Sequence, residues 1–471
     1  MTDPSDDFAG NCADIPGSSA AVDGRPAPAV IGAVDPALLD LVDLALAGQD
    51  AVVIRAGLHF AADDETGSSD ADDDLVRLVS HSSAEGFDDE PVRLDVPMPF
   101  TCPTCSLREV LAAVAQDRAA QDPGGTTVIL LPAAIELAHL LPGLAEELAG
   151  TGVRLAGAAH VLDATTALDE LLEHRQLSAF PGDSRCTGAV HLTNLGYADL
   201  VLALGRDEDP AGADLIEHLR PHDALLLPGL DAPLLETLTT LTHDAAASLS
   251  RIHPATTSAW GGPDEHGVWT LDLSASLPFH PERLRSLVVE LAGQGLCARG
   301  CFWLPSRPGR VCTWEVAGGA VSVGDAGTWA EVPAAPSDAD DDTASEPRCH
   351  LVVTGVGDEE MREQAEKTRR MLLQVPRVQK VELIGVQSER VYVEIALERL
   401  AQLGIPPTAI TDALAAQDAI ATSGSIETAS DTVQLRASGV FENIEDIRAL
   451  PIAANGKVFR LGDIASVERR S

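Results

Sequence analysis

Two cysteines separated by two residues, Cys102 and Cys105 in TCPTCSLREVL, are the side chains of this chain best spaced for chemistry. Paired thiolates at that spacing make half of a tetrahedral site for zinc or another borderline ion. A full site needs two more ligands, and His59 and His81 qualify by position only. The bland alternative is a pair of reduced thiols where a loop turns into a helix. Three other cysteines, Cys297, Cys301 and Cys312, read as small buried residues of a hairpin. His280, just before Pro281 in PFHPER, reads as a capping or packing side chain at a helix start. No Ser-His-Asp or Cys-His arrangement has supporting context, so no catalytic residue is assigned, and the many carboxylates form runs typical of a solvated face.

Lysine is the other informative residue. The chain has only Lys367, Lys380 and Lys457, so its first 366 residues contain none. A phosphate-binding P-loop needs its own lysine to reach the β- and γ-phosphates. No intact loop of that kind can exist upstream of Lys367. Charge divides the chain in the same way: residues 347–471 carry 3 Lys and 12 Arg against 18 acidic residues, net −3, which leaves −38 of the total −41 for residues 1–346. So acidic a body repels phosphate backbones and anionic head groups, which argues against nucleic-acid and membrane-surface partners. Cationic partners and metal ions stay open, and a plain solubility role fits the same charge.

The elements that must carry these residues follow from hydrophobic patterning. A chain of 471 residues should hold two or three domains. No apolar run reaches the roughly 20 residues of a membrane span, and the acidic start MTDPSDDFAG does not resemble a signal peptide. The expectation is a cytoplasmic protein with reduced thiols. Residues 1–48 are rich in Ala, Pro, Gly and Asp and predict a flexible arm with one short helix over 36–47. Over 49–250, strand-like runs at AVVI, TVILL, VRLAGAAHVLD, DLVLALG and DALLLPG alternate with helical ones, the signature of an open α/β sheet. ADDETGSSDADDD, from residue 62, is too polar to pack and reads as an insertion. All five tryptophans fall between Trp260 and Trp329, which implies a separate α+β core over 260–361. PAAPSDADDDTASEP, residues 333–347, reads as an acidic linker or loop.

Several of these segments carry a family resemblance. LPFHPERL, then ARGCFWLPSRPGRVCTWEVAGG and GTW, resembles the C-terminal domain of the CobW-type GTPase and metallochaperone family, and PRCHLVVTGVGDEE resembles its next strand. TCPTCSLREVL is similar to the family's metal-binding Cys-x-Cys-Cys segment, with Cys102 and Cys105 on the outer positions and Thr104 in place of the middle cysteine. The resemblance spans about 50–360 and implies a degenerate P-loop-type open sheet followed by an α+β domain. It also implies damage to the nucleotide site. Aligned on VVIRAGLHFAADDETG, Gly57 is kept, Asp63 stands at the lysine position, Leu130 replaces a glutamate, and Leu204 and Gly205 replace the Asn-Lys of the guanine motif, with Asp207 retained. Gly57 and Asp207 are then vestigial nucleotide residues, and GTP is an unlikely ligand beside zinc.

The tail resembles a different family. GVQSERVYVEI, LAQLGI, ALAAQDAI and FRLGDIASVER are similar to the porter and docking region of resistance-nodulation-division efflux transporters over about 362–471, implying an α+β, ferredoxin-like fragment. Proton-coupled transport needs membrane helices with intramembrane carboxylates, so the tail alone implies a surface for protein contacts. The expectation is a CobW-like protein of zinc or cobalt homeostasis that has lost GTP hydrolysis and that meets a metal ion or a metalloprotein client. The alternative is a noncatalytic interaction protein acting through the tail, and the seam near residue 362 fits either a true fusion or a joined gene fragment.

Overall fold

The computed structural model describes residues 26–60, 74–82, 91–100, 102–263, 265–282, 284–285, 295–333 and 346–357, then 378–384, 390–395, 425–427, 432–434, 448, 450–454 and 457–470. Asp63, the acidic insertion up to residue 73 and most of the 333–347 linker fall outside them. The described chain forms two units, 1–386 and 387–471.

The first unit starts on a strand that the composition concealed. Residues Ala29–Ala33 (β1) pair in parallel with Thr127–Leu130 (β5) on one side and Ala158–Asp163 (β6) on the other, and all five are buried. The expected flexible arm is therefore corrected from about residue 26 onward. AVIGA is short and apolar on both faces, as a central parallel strand must be. The helix expected at 36–47 forms over Pro36–Leu46 (α1), opened by the Asp35 carboxylate, which accepts from the Ala37 N–H at 2.8 Å, with Pro36 in the first turn.

With Val52–His59 (β2), Leu75–Ser82 (β3), Val92–Pro97 (β4), Leu200–Leu204 (β7) and Leu225–Leu227 (β8), these strands form one sheet in the order β4-β3-β2-β5-β1-β6-β7-β8. The six strands from β2 to β8 in that order run parallel, and β3 and β4 extend the sheet as antiparallel additions. Side-chain alternation gives each face its own core. Val30, Ile54 and Ile129 face the helices Pro103–Gln121 (α2) and Leu137–Leu148 (α3) through Leu107, Leu111, Leu140 and Leu144. Ile31, Val53, Val128 and Leu202 face α1 and Leu234–Thr240 (α7) through Leu39, Val42, Leu46 and Leu238.

The Trp-rich region is an all-antiparallel sheet of Val268–Ala275 (β9), Leu296–Leu304 (β10), Arg307–Ala317 (β11), Ala320–Thr328 (β12), Cys349–Val356 (β13) and Val378–Ile384 (β14), ordered β12-β11-β10-β13-β9-β14. Trp314, Trp329 and Trp269 are each buried in its hydrophobic clusters. β14 pairs with β9 along its length, so the strand that reads as part of the tail belongs to this sheet. His280 does not pack: its ring is exposed, and its carbonyl accepts the Leu284 N–H at 2.9 Å. The two sheets share a core through Ala164–Leu172 (α4), Thr187–Tyr197 (α5) and Pro210–Leu219 (α6), where Leu171, Leu192 and Ile216 meet Val268, Cys297 and Ala317. Beyond α7, Asp244 caps a further helix, Ala245–Ile252 (α8), through the Ala246 and Ala247 N–H groups. In the second unit, Arg390–Ile395 (β15) pairs antiparallel with Ala465–Arg470 (β20), and Ser425–Glu427 (β16) pairs with Thr432–Gln434 (β17). Pro451–Ala454 (β18) and Lys457–Arg460 (β19) form a further hairpin.

Helix α6 sits against α4 so closely that a Cβ on Gly212 would lie 2.0 Å from the Ala164 carbonyl oxygen. Backbone cannot yield there as a side chain could. Gly212→Ala should cost about 1–3 kcal/mol in urea unfolding, whereas Gly124→Ala, with nothing within 4 Å of the added carbon, should be nearly neutral.

Candidate functional site

In an open α/β sheet, ligands gather at the carboxyl ends of the parallel strands, where the strand order reverses. Here that edge lies at the ends of β1, β5, β6 and β7. The β1–α1 crossover at that edge holds only Val34 and Asp35 between strand and helix. Val34 is buried against Ala134 and Val190. The Ala134 N–H donates to the Ala33 carbonyl at 2.9 Å, with Ala134 itself at a φ of 59°. A turn this short and apolar has no ring of free N–H groups to cradle phosphates.

Gly57 lies elsewhere. It sits inside β2, opposite Arg77 in the antiparallel β2–β3 ladder, so the strand after which the alignment set the phosphate loop leads into a hairpin partner and not a helix. Asp207 does lie at the carboxyl edge, exposed in the turn after β7, beside Gly205 at a φ of 64°. Of Gly57 and Asp207, only the latter lies at the carboxyl edge.

The cysteine pair is placed by helix geometry. Helix α2 runs into β5 at its far end, so its first turn lies at the same carboxyl edge. Cys102 is the N-cap, and its Sγ accepts the Cys105 N–H at 3.4 Å. Cys102 is exposed and Cys105 half-buried. The Cys105 backbone N–H, joined by the Cys105 thiol, holds the Cys102 thiol below its ordinary range. The same sulfur contact pushes Cys105 up, so the pair tends to share one proton. Ser106 fixes the approach: its hydroxyl donates to the Phe100 carbonyl at 2.9 Å and accepts the Phe100 N–H at 3.1 Å.

Neither histidine singled out by position joins a metal cluster with the cysteines. His81 ion-pairs with Asp43 of α1 at 3.1 Å, while His59 is exposed at the other end of the same hairpin, opposite Leu75. The residue that sequence reasoning missed is His139, on the first turn of α3. It is paired with Glu136, which raises its pKa, and it lies near enough to Cys102 for a thiolate there to raise it further. Burial of Glu136 opposes its ionisation, but His139 and Arg185 together hold it below the usual range. Among the described residues, no group of three or more His, Cys, Asp and Glu side chains is placed to hold a metal ion.

The other described cysteines are chemically quiet. Burial pushes the Cys297 and Cys301 thiols up to about 12 and the Cys349 thiol to about 11. Cys297 donates to the Leu171 carbonyl at 3.5 Å and Cys186 to the Ala317 carbonyl at 3.4 Å, as packing thiols do. Sequence reading also missed a buried relay beneath the β1–α1 crossover. His160 of β6 contacts His191 of α5 at 2.9 Å, and His191 contacts Glu170 at 3.0 Å. The Nδ1 of His160 is buried against the Gly32 backbone without a well-formed hydrogen bond.

The fold and this edge define an open, parallel-rich α/β protein joined to an antiparallel sheet, and relatives are consistent with that class. The chain is 26% identical over 248 residues to the zinc chaperone Rv0106 of Mycobacterium tuberculosis, covering 50% of this chain and 60% of that protein. The uncharacterized protein Mb0109 of Mycobacterium bovis matches to the same extent. The chain thus spans about 60% of the length of these curated relatives. Residues 350–471 match the AcrB/AcrD/AcrF family. The Zn(II)-bound YjiA GTPase of E. coli aligns over 73% of this chain and 98% of its own at 13% identity and a TM-score of 0.29. No helix among the described residues is long and apolar enough to cross a membrane.

Burial holds the His160 pKa well below its ordinary 6.5, aided by repulsion from His191. The unfolded chain therefore takes up this proton first. The stability it contributes is complete above about pH 6.5 and is lost as pH falls, by at most about 1.4 kcal/mol per pH unit. Urea unfolding at pH 7 and pH 5.5 should show a smaller decline for His160→Gln than for the parent chain.

Proposed function

We propose that this chain is a CobW-like protein of metal homeostasis that carries zinc on a two-thiolate half-site, Cys102 and Cys105, and has lost GTP hydrolysis. The observation that carries the reading is the cysteine pair at the carboxyl edge of the sheet, where the Cys105 N–H donates to the sulfur of the exposed Cys102. Thiolates are the ligating form, and a site held by two of them keeps coordination positions open to ligands from a metalloprotein client. The likeness to a zinc chaperone over half of the chain supports zinc as the first ion to test.

Two features support the loss of hydrolysis. Residues 1–366 supply no lysine for the phosphates, and the β1–α1 crossover is two residues long and plugged by Val34. The vestigial nucleotide reading then rests on Asp207. A second reading is favoured by the AcrB/AcrD/AcrF match over residues 350–471: the tail beyond Val378–Ile384 acts as a porter-like module for protein contacts. A cytoplasmic location belongs with the first reading, where a chaperone meets its clients.

Zinc titration of the reduced chain should show saturable binding with proton release. Cys102→Ser and Cys105→Ser should each weaken it at least tenfold, about 1.4 kcal/mol. Unchanged affinity in both variants removes the half-site. GTP turnover that falls on Asp207→Ala would remove the claim of lost hydrolysis.

A further inference from the structure

We infer that Cys102 and Cys105 form a thiol–disulfide exchange centre whose reaction partner is a low-molecular-weight organic disulfide. The inference does not rest on the metal reading, since a disulfide needs no ion. It rests on how the two sulfurs are presented. They stand at the N-cap and third residue of α2, in the run Cys-Pro-Thr-Cys, and the Cys102 Sγ accepts the Cys105 backbone N–H at 3.4 Å. Side chains three residues apart on a helix have Cβ atoms about 5–6 Å apart. A bridge between them therefore needs a small local adjustment and no movement of the core.

The two cysteines divide the two steps of an exchange. Cys102 is exposed and meets the incoming disulfide, and Cys105, the next thiol along the helix, resolves it. In the first step the Cys102 thiolate attacks one sulfur of the organic disulfide, forming a mixed disulfide and releasing one organic thiolate, which takes a proton. In the second step Cys105 loses its proton and attacks the Cys102 sulfur. The S–S bond within the chain forms, and the second organic thiol leaves. The dithiol is oxidised by two electrons and the organic disulfide is reduced by two, to two thiols.

The surroundings make the exchange selective. Ser106, next to Cys105, ties the Phe100 backbone at both its N–H and its carbonyl. Cys186, Cys297, Cys301, Cys312 and Cys349 are all buried, out of reach of an external disulfide. At the N-cap, Cys102 also has a conservative replacement, because serine caps a helix well. Cys102→Ser should therefore fold.

The test treats the full, chelator-stripped chain with excess oxidised glutathione, quenches in acid, alkylates, and weighs the tryptic peptide Leu94–Arg108. The expected result is loss of two hydrogens and of both alkylation sites from that peptide. Cys105→Ser should stop at the glutathione adduct on Cys102, and Cys102→Ser should react at least tenfold more slowly. A parent chain that keeps both thiols, or that stops at the mixed disulfide as Cys105→Ser does, overturns the inference. Repeating the reaction with zinc present separates the two proposals. Oxidation that zinc does not slow leaves the exchange centre standing and counts against the half-site. Zinc binding without oxidation of the zinc-free chain keeps the half-site and removes the exchange centre.

Discussion

The strand Ala29–Ala33 exchanges backbone hydrogen bonds with parallel neighbours on both sides, and its side chains are buried on both faces. Ile31 faces the core under α1 and Val30 faces the core under α2 and α3, so the one strand divides the two hydrophobic layers of the sheet. Parallel strands covered on both faces bury every polar backbone group, and each such group must find a partner in the ladder. That demand fixes where the following turn can run. The crossover from Ala33 to Pro36 is held by the Ala134 N–H on the Ala33 carbonyl and by the Asp35 cap, and Val34 fills the space beneath it.

The second sheet depends on close approach of a different kind. Leu171, Leu192 and Ile216 belong to helices that cover the first sheet, yet they pack equally on Val268, Cys297 and Ala317 of the second. Glycines let these layers meet: a Cβ on Gly188 would lie 2.7 Å from the Gly318 backbone nitrogen. One shared apolar layer therefore joins the sheets, and pairing of Val378–Ile384 with β9 draws sequence beyond the acidic linker into the same unit.

Chemistry is distributed by burial. Desolvation keeps the thiols of the second sheet protonated, while at the carboxyl edge of the first sheet a helix N-terminus and an adjacent thiol bias one exposed sulfur toward its charged form. The His160–His191–Glu170 line brings titratable rings together away from water, as the Tyr197–His243 contact does at 3.1 Å. Its nearness to Gly32 ties the protonation of that line to the same central strand.

Much of this was legible in the chain itself. The apolar runs of β2, β5, β6, β7 and β8, separated by helical periodicity, announce an open α/β sheet, and the clustered tryptophans announce a second core. Cys102 and Cys105 could be singled out because two residues separate them, a spacing that suits paired thiolates. What the sequence could not show depends on partners distant along the chain. AVIGA sits in an Ala- and Pro-rich stretch and becomes a strand only because β5 and β6, more than ninety residues downstream, close around it. Gly57 could be aligned to a phosphate loop until an antiparallel neighbour placed it mid-strand. His160 and His191 are 31 residues apart, and only the packing of α5 on the sheet brings their rings together. Local periodicity and spacing thus determined which segments are strands and which thiols are paired, because those properties follow from neighbours along the chain. Tertiary structure alone decided which strand is central, which turn stands where phosphate would bind and which sulfur is exposed, because burial is set by contacts that no local pattern records.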